Sequence, residues 1–133
     1  MKLYLDASAL VKRYVAEPGS ERVREAMGRA DSWYICRLGF VETMRAVGIA
    51  AGAGATRVVQ EEWPAFGVVE IDQPLVEHAA ALALERDLRS IDSLHLAAAL
   101  LLSGEDLTFA SWDRRLHAAA RAEGLELLPE ALG

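Results

Sequence analysis

Lys2-Leu3-Tyr4-Leu5-Asp6-Ala7-Ser8-Ala9-Leu10-Val11 opens the chain with an apolar run, one acid and then a helical pattern. Residues 2–5 read as a short buried strand, and the pattern from Ala9 to Ala16 reads as a helix. An acid at the carboxyl end of a first buried strand, with a helix behind it, stands where open α/β sheets place their ligands. The stretch points to a doubly covered sheet with Asp6 at its carboxyl edge.

The same alternation continues along the chain. Candidate strands are Lys2–Leu5, Trp33–Cys36, Gly67–Ile71, Leu107–Phe109 and Glu126–Leu128. Between them helical patterns run over Ala9–Ala16, Ser20–Arg29, Gly39–Ala51, Thr56–Trp63, Leu75–Arg86, Ser93–Leu102 and Arg114–Glu123. Pro18-Gly19 and Gly52-Ala53-Gly54 break consecutive helices, and Gly104 and Gly124 read as helix stops. Strands separated by helices pair in parallel through right-handed crossovers. The expected fold is a three-layer α/β/α sandwich around a central parallel sheet of about five strands. No repeat or composition break divides it, so one domain over residues 1–133 is expected.

Composition narrows the function classes. The 53% hydrophobic and 26% charged fractions fit a globular chain. No apolar run approaches the ~18 residues of a membrane span, and Asp6 interrupts the place of a signal-peptide core. One cysteine, Cys36, excludes an internal disulfide and suggests a reduced, cytoplasmic location. Net charge is −6, from 20 acids and 14 bases, which argues against broad nonspecific nucleic-acid binding. It leaves room for a nuclease whose clustered acids inflate the negative count. All but two of the basic residues are arginines, which suit bidentate phosphate contacts.

Four acids recur in comparable settings: Asp6, Glu42, Asp92 and Asp113. Each aspartate has an ordinary alternative role, because a first-turn acid caps a helix or complements its dipole. Glu42 lies on a mostly apolar helix, where a carboxylate needs a partner or a cation; Arg45, three residues on, is the local candidate. Asp72 precedes Gln73-Pro74 and is explained by capping, so it is left outside the site. If the four converge, two charges about 4 Å apart repel by roughly 4 kcal/mol at an effective dielectric of 20. Such a cluster takes up protons or a cation, and its all-oxygen donors favour Mg²⁺ or Mn²⁺ over zinc. Ser8 and Ser111 supply supporting hydroxyls, and each is also an ordinary N-cap candidate.

Taken in order, four motifs resemble the PIN-domain family, and specifically the VapC-type toxin ribonucleases of VapBC toxin–antitoxin systems. They are Leu5-Asp6-Ala7-Ser8-Ala9-Leu10-Val11-Lys12, then Val41-Glu42 with Arg45-Ala46, then Arg89 to Ala99, then Ser111-Trp112-Asp113-Arg114-Arg115-Leu116. The resemblance covers essentially the whole length, and Asp6, Glu42, Asp92 and Asp113 match the family's acidic quartet. Ser111 stands where the family often has threonine. The resemblance implies a Mg²⁺- or Mn²⁺-dependent endoribonuclease that hydrolyses RNA with metal-activated water. It also implies a sheet ordered 3-2-1-4-5, a homodimer and a cognate VapB-type antitoxin that covers the site. A catalytically weak PIN domain serving as a protein- or RNA-binding module is the alternative.

Other residues carry two readings. Arg89 and Arg114 are candidate RNA-phosphate contacts, or solvated helix-end arginines, with Arg89 also able to pair with Asp92. His95 reads as a hydrogen-bonded core histidine. Trp33, Trp63 and Trp112 read as packing residues, although Trp112 borders Asp113 and could stack a base. The small residues of Ala46–Ala55 suit close helix packing. A phosphoryl-accepting receiver domain would need a late lysine, and no lysine follows Lys12. A haloacid-dehalogenase-type phosphatase would need a second acid where Asp6-Ala7-Ser8 has serine.

Overall fold

The computed structural model describes residues 1–104 and 106–132. Five parallel strands, β1 (Lys2–Leu5), β2 (Ser32–Cys36), β3 (Phe66–Val69), β4 (Leu107–Ala110) and β5 (Glu126–Leu128), form one sheet ordered β3-β2-β1-β4-β5. Among the described residues seven α-helices connect them: α1 (Ala7–Tyr14), α2 (Ser20–Arg29), α3 (Gly39–Ala51), α4 (Ala53–Glu62), α5 (Gln73–Arg86), α6 (Ser90–Leu102) and α7 (Arg114–Ala122). The expected sandwich and strand order are both present.

β1 is the central strand, and its residues show why the sheet must be covered twice. Leu3, Tyr4 and Leu5 are all 0% exposed. Leu3 and Leu5 pack with Leu10, Val23, Met27 and Ile35 beneath α1 and α2. Tyr4 points the other way, into a core with Leu75, Leu82, Leu96, Phe109 and Leu116 from α5, α6, β4 and α7. Alternation along a pleated strand sends successive side chains to opposite faces, and each buried leucine contributes about 1.5–3 kcal/mol. α3 packs against α1, and α4 against α3.

Several helices begin earlier than the periodicity alone indicates, because caps precede the apolar pattern. Asp6 caps α1 and Asp72 caps α5, each accepting a backbone N–H three residues on. β3 ends at Val69 instead of Ile71, and the backbone leaves the sheet before the Asp72 cap. The break between α3 and α4 is Gly52 alone, at φ 82°, where a left-handed backbone favours glycine. Gly54 lies inside α4.

Gly39 opens α3 for a different reason. A Cβ there would stand 2.3 Å from Cδ1 and 2.4 Å from Cγ1 of Ile35, which is buried. Gly39→Ala is expected to destabilise the protein by about 1–3 kcal/mol through overpacking. Urea unfolding of the two proteins measures it, and an unchanged midpoint would show that Ile35 has room to move.

Candidate active site at the carboxyl edge of the sheet

The ends of β1, β2 and β4 bring the candidate residues to one edge. Asp6 follows β1 directly, Ser111-Trp112-Asp113 follow β4, and Glu42 lies in the first turn of α3 beyond β2. α6 runs back across the sheet: the Leu102 carbonyl at its end accepts from Lys2 Nζ at 3.0 Å, at the start of β1. Its first turn, carrying Asp92, therefore lies at the carboxyl edge with the others.

Asp6 is 3% exposed, and both of its oxygens are occupied. Oδ1 accepts from Ser8 Oγ at 2.6 Å and from the Ala9 N–H at 2.9 Å, and Oδ2 accepts from Ser111 Oγ at 2.6 Å. Ser111 Oγ in turn accepts the Asp113 N–H at 3.2 Å, and Ser8 Oγ accepts the Trp112 N–H at 2.9 Å. The two serines thus lace the loop after β4 to the loop after β1. Asp113 also caps α7 through the Leu116 N–H at 2.9 Å. Capping and membership of the cluster coexist at both aspartates.

Asp92 and Asp113 share one counter-ion. Arg89 Nε lies 3.3 Å from Asp92 Oδ2 and its Nη2 lies 3.6 Å from Asp113 Oδ2. Arg89 is thus an internal bridge as well as a phosphate candidate. Arg89, Asp92, Trp112, Asp113 and Arg114 line a cavity of about 630 Å³. Ser8, Lys12, Glu42, Arg45 and Trp112 line another of about 480 Å³. Trp112 borders both, with Lys12 Nζ 5.1 Å from its ring centroid.

Glu42 does not pair with Arg45. Its Oε1 accepts from His95 Nε2 at 2.6 Å. His95 is 1% exposed and is the hydrogen-bonded core histidine the sequence indicates, held also by Tyr4. The pairing escapes sequence reasoning because its partners are 53 residues apart. A polar histidine one turn past Asp92 on an apolar helix was the available signal.

Electrostatics sets Asp6 and Asp92 apart from surface carboxylates. Burial pushes the Asp6 carboxyl above its ordinary range, against the pull of His95, Ser111 and Ser8. Burial also raises Asp92, helped by the neighbouring charge of Asp113 and opposed by Arg89. Cys36, Glu42 and Asp6 outweigh burial at His95 and raise its imidazole. Arg89→Gln is therefore expected to raise Asp92 further, because it removes the guanidinium that favours the ionised form. Carboxyl ¹³C titration by NMR measures the change, and an unmoved Asp92 would show that Arg89 is solvated.

The chemistry of the donors fits a hard divalent cation: the acids offer only oxygen, and they already recruit positive charge from Arg89 and His95. Among the described residues, however, no three His, Cys, Asp or Glu side chains are gathered into a ready cation shell. Ser111 instead links Asp6 to Asp113 and Arg89 links Asp92 to Asp113, while Glu42 is held by His95. Residues 3–123 match the family described as PIN domain. The chain belongs to the PIN-domain family.

Two relatives from Mycobacterium tuberculosis extend the likeness to nearly the whole chain. Ribonuclease VapC45 (strain CDC 1551 / Oshkosh) and Ribonuclease VapC49 (strain ATCC 25618 / H37Rv) are each 35% identical, over 98% of this chain and 96% of their own. Among solved structures, VapC20 of M. tuberculosis, a sarcin–ricin-loop-cleaving toxin, superposes with a TM-score of 0.75 at 14% identity. That match covers 98% of this chain and 99% of VapC20. FitAB bound to a DNA fragment gives 0.72 at 18% identity, covering 98% of this chain and 97% of that one. The two superpositions establish the shared PIN fold. No helix among the described residues is long and apolar enough to cross a membrane.

Proposed function

We propose that this PIN domain is an endoribonuclease toxin of a toxin–antitoxin pair, dependent on Mg²⁺ or Mn²⁺. The observation that carries the reading is the buried Asp6 carboxylate, tied through Ser111 to Asp113 while Asp113 and Asp92 share Arg89. Full-length similarity to two proteins named ribonucleases supports the same reading. Asp6, Glu42, Asp92 and Asp113 would hold the cation. When bound, it would polarise the phosphodiester and supply a nucleophile at neutral pH.

The chain's own residues have distinct parts in this reading. Ser8 and Ser111 fix the Asp6 oxygens, and Ser111 holds the Asp113 backbone in place. Arg89 balances Asp92 and Asp113, and with Arg114 it faces the cavity where RNA phosphates would lie. The partners are RNA as substrate, a cognate VapB-type antitoxin and a second copy in a homodimer.

Purified chain is expected to cut total cellular RNA with Mg²⁺ or Mn²⁺ and to stop when the cation is chelated. The same cation should raise the melting temperature by binding the folded state. Cleavage that survives chelation would overturn the cation dependence. Divalent binding without cleavage would favour the binding-module reading.

A further inference from the structure

A buried polar chain runs from the middle of the sheet to Glu42, and the roles assigned above leave two of its members unexplained. Tyr4 Oη accepts the Cys36 N–H at 3.0 Å and lies 2.8 Å from His95 Nδ1. His95 Nε2 then lies 2.6 Å from Glu42 Oε1. With a carboxylate as partner, Nε2 is the donor of the last bond, because a carboxylate only accepts. Nε2 carries the hydrogen whether the imidazole is neutral or charged.

Packing holds this chain rigid. The Tyr4 ring stacks on Phe109 at 5.5 Å and 10°, and meets the imidazole edge-on at 5.8 Å and 77°. Tyr4 is 0% and His95 1% exposed. The bare Gly39 backbone closes a further side: an added Cβ would stand 3.4 Å from His95 Cε1. Glu42, by contrast, has a side chain 28% exposed on a helix flank. A glutamate with several rotatable bonds loses conformational freedom when it is held, and a fixed donor sets where its carboxylate comes to rest. Leucine in place of His95 would fill its volume without the bond to Glu42, whereas phenylalanine in place of Tyr4 would leave the buried Cys36 N–H without its acceptor.

We propose that Tyr4 and His95 are positioning residues that hold the Glu42 carboxylate toward the acid cluster, with Tyr4 setting the imidazole and the imidazole setting Glu42. The proposal rests on the reading that Glu42 helps to hold a divalent cation. Partners that orient a ligand in this way commonly change metal affinity by about 10–100-fold.

The test is Mn²⁺ calorimetry and RNA cleavage on the full chain, its His95→Leu and Tyr4→Phe variants, and both variants again in a Glu42→Gln background. His95→Leu is expected to weaken Mn²⁺ binding by about tenfold or more and to lower kcat with KM for RNA little changed. Tyr4→Phe should act in the same direction with a smaller loss. In the Glu42→Gln background neither change should weaken binding further. Circular dichroism and melting temperature check the fold, and Tyr4→Phe decides the matter if His95→Leu fails to fold. Unchanged Mn²⁺ affinity, or losses that add to that of Glu42→Gln, would overturn the positioning role while leaving the nuclease reading intact. A wild-type chain that neither binds Mn²⁺ nor cuts RNA would overturn both.

Discussion

Asp6→Asn is expected to reduce cation-dependent RNA cleavage by more than about 100-fold, at least the loss seen for residues that merely orient a metal ligand. Its melting temperature should equal or exceed that of the wild type. Asparagine caps a helix about as well as aspartate, so α1 keeps its first turn. Its amide oxygen can still accept from the Ala9 N–H and Ser8, while Ser111 Oγ can turn to accept from the amide nitrogen. The charge that disappears is one that burial opposes. A carboxyl raised above its unfolded value of about 3.9 makes the folded chain bind more protons than the unfolded chain. Its contribution is fully present below that value and is lost as pH rises through the folded pKa. The melting-temperature difference between Asp6→Asn and wild type should therefore be larger at pH 7 than at pH 4.5, without added cation. Undiminished cleavage by a folded Asp6→Asn protein would remove Asp6 from the chemistry.

The second large effect concerns the fold beneath the site. Phe109 is 0% exposed, lies on β4 beside β1 and stacks on Tyr4. Phe109→Ala is expected to cost about 3–5 kcal/mol, the range for deleting a buried ring that its surroundings cannot replace. Phe109→Leu, which keeps more of the volume, should cost less. Urea unfolding of the three proteins measures both. A loss below about 1 kcal/mol for the alanine variant would mean that the core around Tyr4 collapses into the gap.

Local pattern was enough for the strands and for most helices, because β1 and α6 are apolar on a scale of a few residues. Asp6 and Asp113 were legible for the same reason: each stands just beyond a strand, where chain direction alone puts it at the carboxyl edge. The strand order was legible only through the resemblance to a family, since pairing of β1 with β4 joins residues about a hundred positions apart. Partners chosen across the fold were harder still. Glu42 has Arg45 within reach on its own helix, yet it turns to His95 on α6. Arg89 was readable as a partner of Asp92 but not of Asp113, which arrives from a different element. His95 was recognisable as a satisfied core residue, and what satisfies it was not.

The hydrogen bond from Ser111 to Asp6 spans 105 residues, and the Ser111 N–H is itself held by the Leu128 carbonyl of β5 at 3.0 Å. This arrangement has a consequence for the order of events during protein synthesis. A ribosome that has made β1, α3 and α6 has already released Asp6, Glu42 and Asp92, but not the strand that carries Ser111 and Asp113. One of the bonds that hold Ser111, from its backbone N–H to the Leu128 carbonyl, forms only after β5 has emerged and paired with β4. A nascent or truncated chain lacking that strand therefore has its acids but only part of the frame that joins them.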